Sequence, residues 1–291
     1  MMFWARRSAS LARRGAMAFS IIAMVIAAVL YLIAALVGLP RFAYPDPFLL
    51  YTAVAAAGLI AARRVDRMPL DWLGLGAHPW TMREIGIGAL LGMLGATIAW
   101  APSAVTGSIV AGEPEGERLI GTAALIAFYA IGEELLFRGY LYQRGIEMLG
   151  APAATLLSSL IFTVAHANNP SIGPLGFLSI FLAGLLFCAL YLKSLSLWVP
   201  IAAHISWNLA LATLYGSASS GMISLDSVFR TVPGGPAWLD GGAFGPEGGI
   251  AGLLGLLAIA TVAGTARSIQ PAPWVVARIT RGLVEQGERS R

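Results

Sequence analysis

The chain has 291 residues, of which 57% are hydrophobic and only 12% are charged. Soluble domains carry about 25% charged residues, so this composition excludes an ordinary globular enzyme and is typical of a polytopic membrane protein. The formal net charge of +4 does not indicate nucleic-acid binding, because the basic residues follow the predicted membrane topology. We therefore expect the lipid bilayer, and no nucleic acid, to be a partner of the chain.

The apolar stretches predict an all-α polytopic membrane protein with about eight transmembrane helices. Each stretch approaches the roughly 20 residues that are needed to cross a bilayer, although the second and the fifth are short. In chain order they cover residues 17–39, 47–62, 85–107, 119–137, 151–168, 173–192, 195–215 and 248–266.

The distribution of basic residues predicts the orientation of the spans. With a cytoplasmic N-terminus, eight spans leave Arg41, Arg118 and Arg230 on the outer side and nearly all other Lys and Arg residues on the cytoplasmic side, as the positive-inside rule requires. Both termini are therefore expected in the cytoplasm, in a bacterial-type cytoplasmic membrane. The first span is too long for the apolar region of a signal peptide, so we expect a retained anchor.

Composition divides the chain into four predicted segments. They are an N-terminal segment with two spans and a basic linker (1–80), a compact membrane core (84–215), a Gly-rich external loop (216–247), and the last span with a basic cytoplasmic tail (248–291). The single cysteine, Cys188, lies in an apolar run, so neither a disulfide framework nor a thiolate metal site is expected.

Strongly polar side chains are rare in the predicted membrane core, and they occur in spans four, five and seven. They are Glu133, Glu134 and Arg138 in the fourth span, His166 with Asn168 and Asn169 at the end of the fifth, and His204 and Asn208 in the seventh. A charge at the centre of a membrane helix costs roughly 2.5–3.5 kcal/mol. A buried functional site between these three spans is therefore the leading hypothesis.

Other polar residues have simpler interpretations. Asn168 and Asn169 precede Pro170 and are expected to form an ordinary turn at the end of a span. His78 precedes a proline in the basic linker, and it is expected to be interfacial and uninvolved in the site.

Spacing places several of the polar groups on common helix faces, because residues four apart are neighbours on a helix. The pairs with this spacing are Glu134 with Arg138, Phe162 with His166, and His204 with Asn208. If the fourth and fifth spans form a helical hairpin that turns near residues 149–152, Glu133 and His166 lie about 16 residues on either side of the turn and hence at one depth.

The three motifs, Glu133-Glu134-x-x-x-Arg138, Phe162-x-x-x-His166 and His204-x-x-x-Asn208, together resemble those of the CPBP family. This family comprises the type II CAAX prenyl proteases and bacteriocin-processing or immunity proteins. The upstream segment LGLGAHPWTMREIGIGALLG is also similar to the lead-in of these proteins, so the resemblance covers about residues 73–215.

The resemblance implies an intramembrane endopeptidase that acts near the membrane-embedded or C-terminal region of a membrane-associated protein or peptide. It implies that Glu133 activates water with His166 beside it, and that His204 and Asn208 form the oxyanion hole. The chemistry is consistent with these roles, because peptide hydrolysis needs a general base and hydrogen-bond donors for the oxyanion.

Supporting roles and a metal are also implied by the resemblance. Glu134, Arg138 and Phe162 would support the site. Members of the family have been described both as metalloproteases and as glutamate-type proteases. No cofactor is firmly predicted, but Zn²⁺ is a candidate, and its ligands would then be Glu133, His166 and His204 with water in the fourth position. The His-Glu-x-x-His motif of many zinc proteases is absent.

Two other functions remain as alternatives. The first is a non-catalytic immunity or scaffolding member of the family, although all four expected catalytic positions are filled. The second is a transporter or proton relay, because buried Glu, His and Arg residues also mark ion pathways. Transporters commonly contain paired halves with broken helices, and no second copy of the Glu-Glu pattern is present. Nothing in the sequence indicates that the substrate is prenylated.

Overall fold

The computed structural model describes residues 9–37, 47–67, 73–112, 114–223, 226–273 and 276. Within these ranges the chain is mostly helical, with one short two-stranded sheet. The α-helices are α1 (Ala9–Leu36), α2 (Pro47–Ile60), α3 (Thr81–Thr106), α4 (Gly116–Phe137), α5 (Tyr140–Leu149), α6 (Ala151–Ala165), α7 (Pro174–Ser194), α8 (Trp198–Leu209), the single turn α9 (Ala237–Asp240) and α10 (Ile250–Thr265). The predicted orientation depends partly on basic residues that lie outside the described residues. They are Arg41, the basic residues among the first eight and nearly all of those in the basic tail.

Among the described residues, five helical segments are long and apolar enough to cross a membrane, so the chain is an integral membrane protein. They are Ser10–Leu36, Phe48–Val65, Thr81–Thr106, Gly116–Leu149 and Pro174–Ser194. Each of the eight predicted spans contains a helix, but α6 and α10 are apolar helices of only 15 and 16 residues. The all-α membrane fold is confirmed, whereas the count of eight spans stays a prediction.

The connection between the fourth and fifth predicted spans differs from the expected hairpin. α4 ends at Phe137, and a separate helix, α5, runs from Tyr140 to Leu149 before α6 begins. The backbone of Gly139, with φ −79° and ψ −135°, lies outside the helical region, as is common for the residue with the weakest helix propensity after proline. The chain turns between Leu149 and Ala151, within the expected region 149–152, but the helix before the turn is interrupted at Arg138 and Gly139. Arg138 at this interruption is fully buried.

The main core is formed by α3, α7, α8 and α10. α3 packs closely on α8 because the contact is lined by small residues, as in many membrane helix pairs. A Cβ atom at Gly92 would lie 2.1 Å from the carbonyl oxygen of Ala203, so only glycine fits there. This packing fixes α8, which carries His204 and Asn208, against a rigid neighbour.

The N-terminal helices α1 and α2 are fastened to α5 by a buried polar cluster. Asp66 accepts a hydrogen bond of 2.7 Å from the hydroxyl of Tyr140 and lies 3.2 Å from the guanidinium of Arg144. Arg144 also contacts Glu147 at 2.9 Å, and its side chain is 1% exposed. The first two helices are thus held to the rest of the bundle.

The Gly-rich segment between α8 and α10 is folded back onto the bundle. Its strand β2 (Phe229–Val232) pairs antiparallel with β1 (Ser108–Ala111), with Ser108 opposite Val232 and Ala111 opposite Phe229. Single helical turns at 237–240, 242–244 and 246–248 lead into α10. This segment, residues 216–248, is called the cap below.

Candidate active site

The candidate site centres on the carboxylate of Glu133. Its Oε2 atom lies 3.7 Å from Nε2 of His166 and 3.8 Å from Nε2 of His204. Oε2 is buried and has no hydrogen-bond partner among the described residues. Buried polar atoms are nearly always partnered, so the arrangement leaves an acceptor and two imidazole nitrogens facing one small space. α4, the end of α6 and α8 each contribute one of these residues.

The hydrogen bonds of the two histidines define which ring nitrogens face Glu133. Nδ1 of His166 lies 2.7 Å from the carbonyl oxygen of Phe162, which can only accept, so Nδ1 carries the hydrogen. Nδ1 of His204 lies 2.9 Å from Oε1 of Glu134 and donates in the same way. In both residues Nε2 is therefore the atom directed at Glu133.

Glu134 and Arg138 form the expected i,i+4 pair at 3.0 Å, and both side chains are 0% exposed. Arg138 also donates to the carbonyl oxygen of Gly184 at 3.1 Å, and its guanidinium lies 4.6 Å from the ring centre of Phe162 and 5.3 Å from that of Phe187. Glu134 Oε1 thus receives hydrogen bonds from Arg138 and from His204. The pair joins α4 to α7 and α8, so it holds the histidine in place.

Tyr51 of α2 is a site residue that the sequence analysis missed. Its hydroxyl donates to Oε1 of Glu133 at 3.2 Å. α2 approaches closely because a Cβ atom at Gly132 would lie 2.4 Å from the ring of Tyr51. No pattern in the sequence marks this tyrosine, which lies outside the three motifs.

A partly open pocket adjoins the two histidines. The predicted site residues in its wall are Phe162, His166, His204 and Asn208, and the other lining residues are Ser179, Ile180, Ala183, Phe187, Trp207, Ser220, Glu247, Gly252 and Leu256. All four of these predicted residues therefore meet at one pocket, and Glu133 contacts two of them. Trp207 of α8 also lines the pocket, and α7, α10 and the cap, which carry none of the motifs, supply the rest of the wall.

The cap is tied to the pocket through Glu247. One oxygen of this carboxylate accepts from the indole of Trp207 at 2.8 Å, and the other accepts from the backbone and the hydroxyl of Ser220. The hydroxyl of Ser219 lies 3.4 Å from both Glu247 and Oδ1 of Asn208. The side-chain amide of Asn169 donates to the carbonyl oxygen of Ser220 at 2.9 Å, so the predicted turn also holds the cap.

Glu133, His166 and His204 are of residue types that bind zinc, but their spacing is wider than zinc requires. Glutamate and histidine are zinc ligands, and the Nδ1 hydrogen bonds of both histidines are of the kind that zinc-bound histidines make. Ligands of tetrahedral zinc with bonds of about 2.0–2.1 Å lie about 3.3 Å apart, which is closer than the 3.7 and 3.8 Å found here. Among the described residues, no group of three such side chains is arranged to hold a metal ion. The spacing fits zinc poorly, and no step below passes through a metal.

His78 differs from the expectation of an uninvolved interfacial residue. Its Nε2 lies 3.2 Å from Oε2 of Glu84, and the two side chains are 7% and 8% exposed. The same carboxylate oxygen accepts a hydrogen bond of 2.7 Å from Ser196. The proline that follows His78 suggested a simple linker, but His78 belongs to a buried cluster that joins α3 to the α7–α8 turn.

The fold and the site define a class: a helical membrane protein whose buried Glu and His residues adjoin a pocket. Residues 115–210 match the family model described as "Type II CAAX prenyl endopeptidase Rce1-like". This match contains all three motifs and confirms the resemblance to the CPBP family. No curated protein and no solved structure matches the chain.

Proposed function

We propose that the chain is an intramembrane endopeptidase that hydrolyses a peptide bond near the membrane-embedded or C-terminal region of a protein substrate. The observation that carries the proposal is the position of Glu133 Oε2, which faces Nε2 of His166 and of His204 across 3.7 and 3.8 Å at the edge of a pocket. The family match over residues 115–210 supports the same class of reaction.

Glu133 and His166 are proposed to hold and activate the attacking water. A water that makes hydrogen bonds of about 2.8 Å can reach both Oε2 and Nε2 when these atoms are 3.7 Å apart. Because Nδ1 of His166 donates to Phe162, Nε2 is an acceptor in the neutral ring. Each hydrogen of the water then has one acceptor, and a lone pair of its oxygen is left for the substrate.

The proposed reaction proceeds by direct attack of this water. Glu133 takes one proton as the water oxygen bonds to the carbonyl carbon of the substrate, whose oxygen becomes an oxyanion. The carbon–nitrogen bond then breaks, and Glu133 returns the proton to the leaving amine nitrogen. The products are a new carboxyl terminus and a new amino terminus, and no covalent enzyme intermediate forms.

His204 and Asn208 are proposed to stabilise the oxyanion. Nδ1 of His204 already donates to Glu134, so Nε2 donates only when the ring carries both hydrogens, and the Glu134 carboxylate then balances its charge. Asn208 accepts from Ser219 at Oδ1, which leaves the amide NH₂ as a donor. Donors fixed in a low-dielectric site are effective because they need no reorganisation as charge develops.

The proposal is tested by comparing membranes from cells that express the chain with membranes that carry the Glu133→Ala variant. Proteomics of C-terminally truncated or released proteins is expected to find products only with the unaltered chain. Glu117→Ala serves as the matched control, because it removes an exposed carboxylate from the same helix and is expected to leave the products unchanged. Identical product sets with and without Glu133 would contradict the proposal.

A further inference from the structure

Ser179 of α7 is a buried polar residue in the pocket for which neither the motifs nor the proposed reaction has a role. Its side chain is 3% exposed, and its hydroxyl has no hydrogen-bond partner among the described residues. Ser179 belongs to the pocket wall that also contains His166, His204 and Asn208. A buried polar group without a partner is costly, so its retention calls for a ligand.

Ser179 lacks the intrahelical hydrogen bond that several other helical serines of this chain make. A serine within a helix commonly donates to the carbonyl oxygen four residues earlier. Ser159 does so with Thr155 at 2.8 Å, and Ser194 does so with Leu190 at 2.8 Å. Ser179 makes no such bond, and its surroundings in the pocket include apolar residues such as Ile180 and Ala183. Its hydroxyl therefore has no intrahelical hydrogen bond to give up when a molecule binds in the pocket.

The position of Ser179 along α7 places it two helical turns from the residue that stacks on His204. Ser179, Ala183 and Phe187 follow one another at intervals of four residues and line the same pocket, and the ring of Phe187 stacks on His204 with 4.8 Å between ring centres. Two turns of helix correspond to roughly 11–12 Å along the axis. An extended peptide advances about 3.3 Å per residue, so a peptide whose scissile carbonyl lies at His204, the proposed oxyanion donor, passes Ser179 a few residues away.

An intramembrane substrate needs such a partner. Backbone N–H and C=O groups must be hydrogen-bonded in the absence of water, and a segment that is unwound for cleavage loses its own helical bonds. We propose that the Ser179 hydroxyl binds a backbone carbonyl oxygen of the extended substrate, away from the scissile bond. This proposal rests on the proposed function, and it makes Ser179 a substrate-binding residue that acts on affinity rather than on bond cleavage.

The test uses the purified full chain in detergent and a quenched fluorogenic peptide that ends in a CAAX-type sequence, in prenylated and non-prenylated forms. Ser179→Ala is expected to raise KM by about threefold to tenfold with little change in kcat, as for one lost neutral hydrogen bond. Its Tm is expected to stay the same or rise, because the variant removes an unpartnered buried hydroxyl. Ser179→Thr, which keeps the hydroxyl, is expected to restore most of the affinity.

Ser103→Ala is the matched control. Ser103 is also buried, with 1% exposure and an unpartnered hydroxyl, but it lines a different pocket. It is expected to change Tm in the same direction without changing KM. An unchanged KM in Ser179→Ala would overturn the proposal, and so would a loss as complete as that of Glu133→Gln.

A measurement of peptide binding distinguishes a failure of the Ser179 proposal from a failure of the proposed protease function. The dissociation constant of the same peptide is measured for Glu133→Gln and for Glu133→Gln combined with Ser179→Ala. A weakening of about threefold to tenfold supports the Ser179 contact even if the unaltered chain cleaves no peptide, a result that would count against the protease alone. Equal dissociation constants, or no binding to either variant, would overturn the Ser179 proposal.

Discussion

Two buried clusters in this membrane protein contain the same chemical groups but differ in spacing and access. In the first, Glu84 Oε2 is contacted directly by His78 at 3.2 Å and by Ser196 at 2.7 Å. In the second, Glu133 Oε2 lies 3.7 and 3.8 Å from two histidines, too far for direct hydrogen bonds, and adjoins a pocket. A carboxylate whose partners are in contact joins helices, whereas one whose partners stand apart has room for a water and a substrate.

The comparison is tested most strongly by removing one histidine from each cluster. His166→Ala is expected to lower kcat by about 10²–10⁴-fold, because a positioned base or acid contributes that much, with little change in Tm. His78→Ala is expected to keep activity within a few fold and to lower stability by about 1–3 kcal/mol, since Glu84 loses a buried partner. Peptide assays and thermal unfolding measure both effects, and equal losses of activity would remove the distinction.

The oxyanion donors are expected to give the next largest effects. His204→Ala and Asn208→Ala should each lower kcat by about 10²–10³-fold, which is typical of a lost oxyanion donor. KM should change little, because these hydrogen bonds strengthen mainly in the transition state. A rise in KM with unchanged kcat would instead assign both residues to ground-state binding.

The same two variants distinguish an oxyanion hole from a zinc site. Elemental analysis of the purified protein and assays with and without a chelator are expected to give activity that is independent of metal. Zinc in stoichiometric amount, lost with activity in His204→Ala but retained in Asn208→Ala, would contradict this expectation, because an amide is a poor zinc ligand. His166 and His204 would then be ligands.

The Glu134→Gln variant is expected to show that Glu134 supports the site and does not take part in the reaction. It should leave measurable activity, lowered by roughly tenfold because His204 loses the carboxylate that balances its charge. Stability should fall by about 3–5 kcal/mol, since Arg138 is fully buried and loses its counter-charge. Kinetics and denaturant unfolding in detergent provide the measurements, and a complete loss of activity in a stable protein would assign Glu134 to the reaction itself.

Tyr51→Phe is expected to have the smallest effect, about a threefold fall in kcat, because Glu133 keeps its position but loses one hydrogen bond at Oε1. Tyr142→Phe is the control, since it removes a hydroxyl that bonds to Thr155 instead. If both variants behave like the unaltered chain, α2 contributes packing alone to the site.

That Glu133, His166, His204 and Asn208 form one functional site stays a prediction. The all-α membrane fold was predictable because long apolar stretches and the four-residue spacing within each motif are local signals. The Glu134–Arg138 pair was predictable for the same reason. The supporting role of Phe162 and the catalytic roles stay predictions, as do the domain boundaries and the orientation of the termini.

Other features of the site were not predictable because they depend on contacts between residues that are distant in the chain. Tyr51 reaches Glu133 across 82 positions, and Glu247 reaches Trp207 across 40. The predicted fourth span ended at Phe137, where α4 ends, but the short amphipathic helix α5 was not predicted because it is too short and too polar to be recognised as a span. His78 and His166 look alike as isolated histidines, and only the spacing of their partners in the folded chain distinguishes them.

The central claim is tested most directly by one pair of measurements on the purified protein: kcat/KM of Glu133→Gln and of Glu84→Gln with the same fluorogenic peptide. We expect Glu133→Gln to lose at least about 10³-fold while its Tm stays close to that of the unaltered chain. We expect Glu84→Gln to retain activity within a few fold and to unfold at a lower temperature. Full activity of Glu133→Gln, or an equal loss of activity in a folded Glu84→Gln protein, would contradict the account.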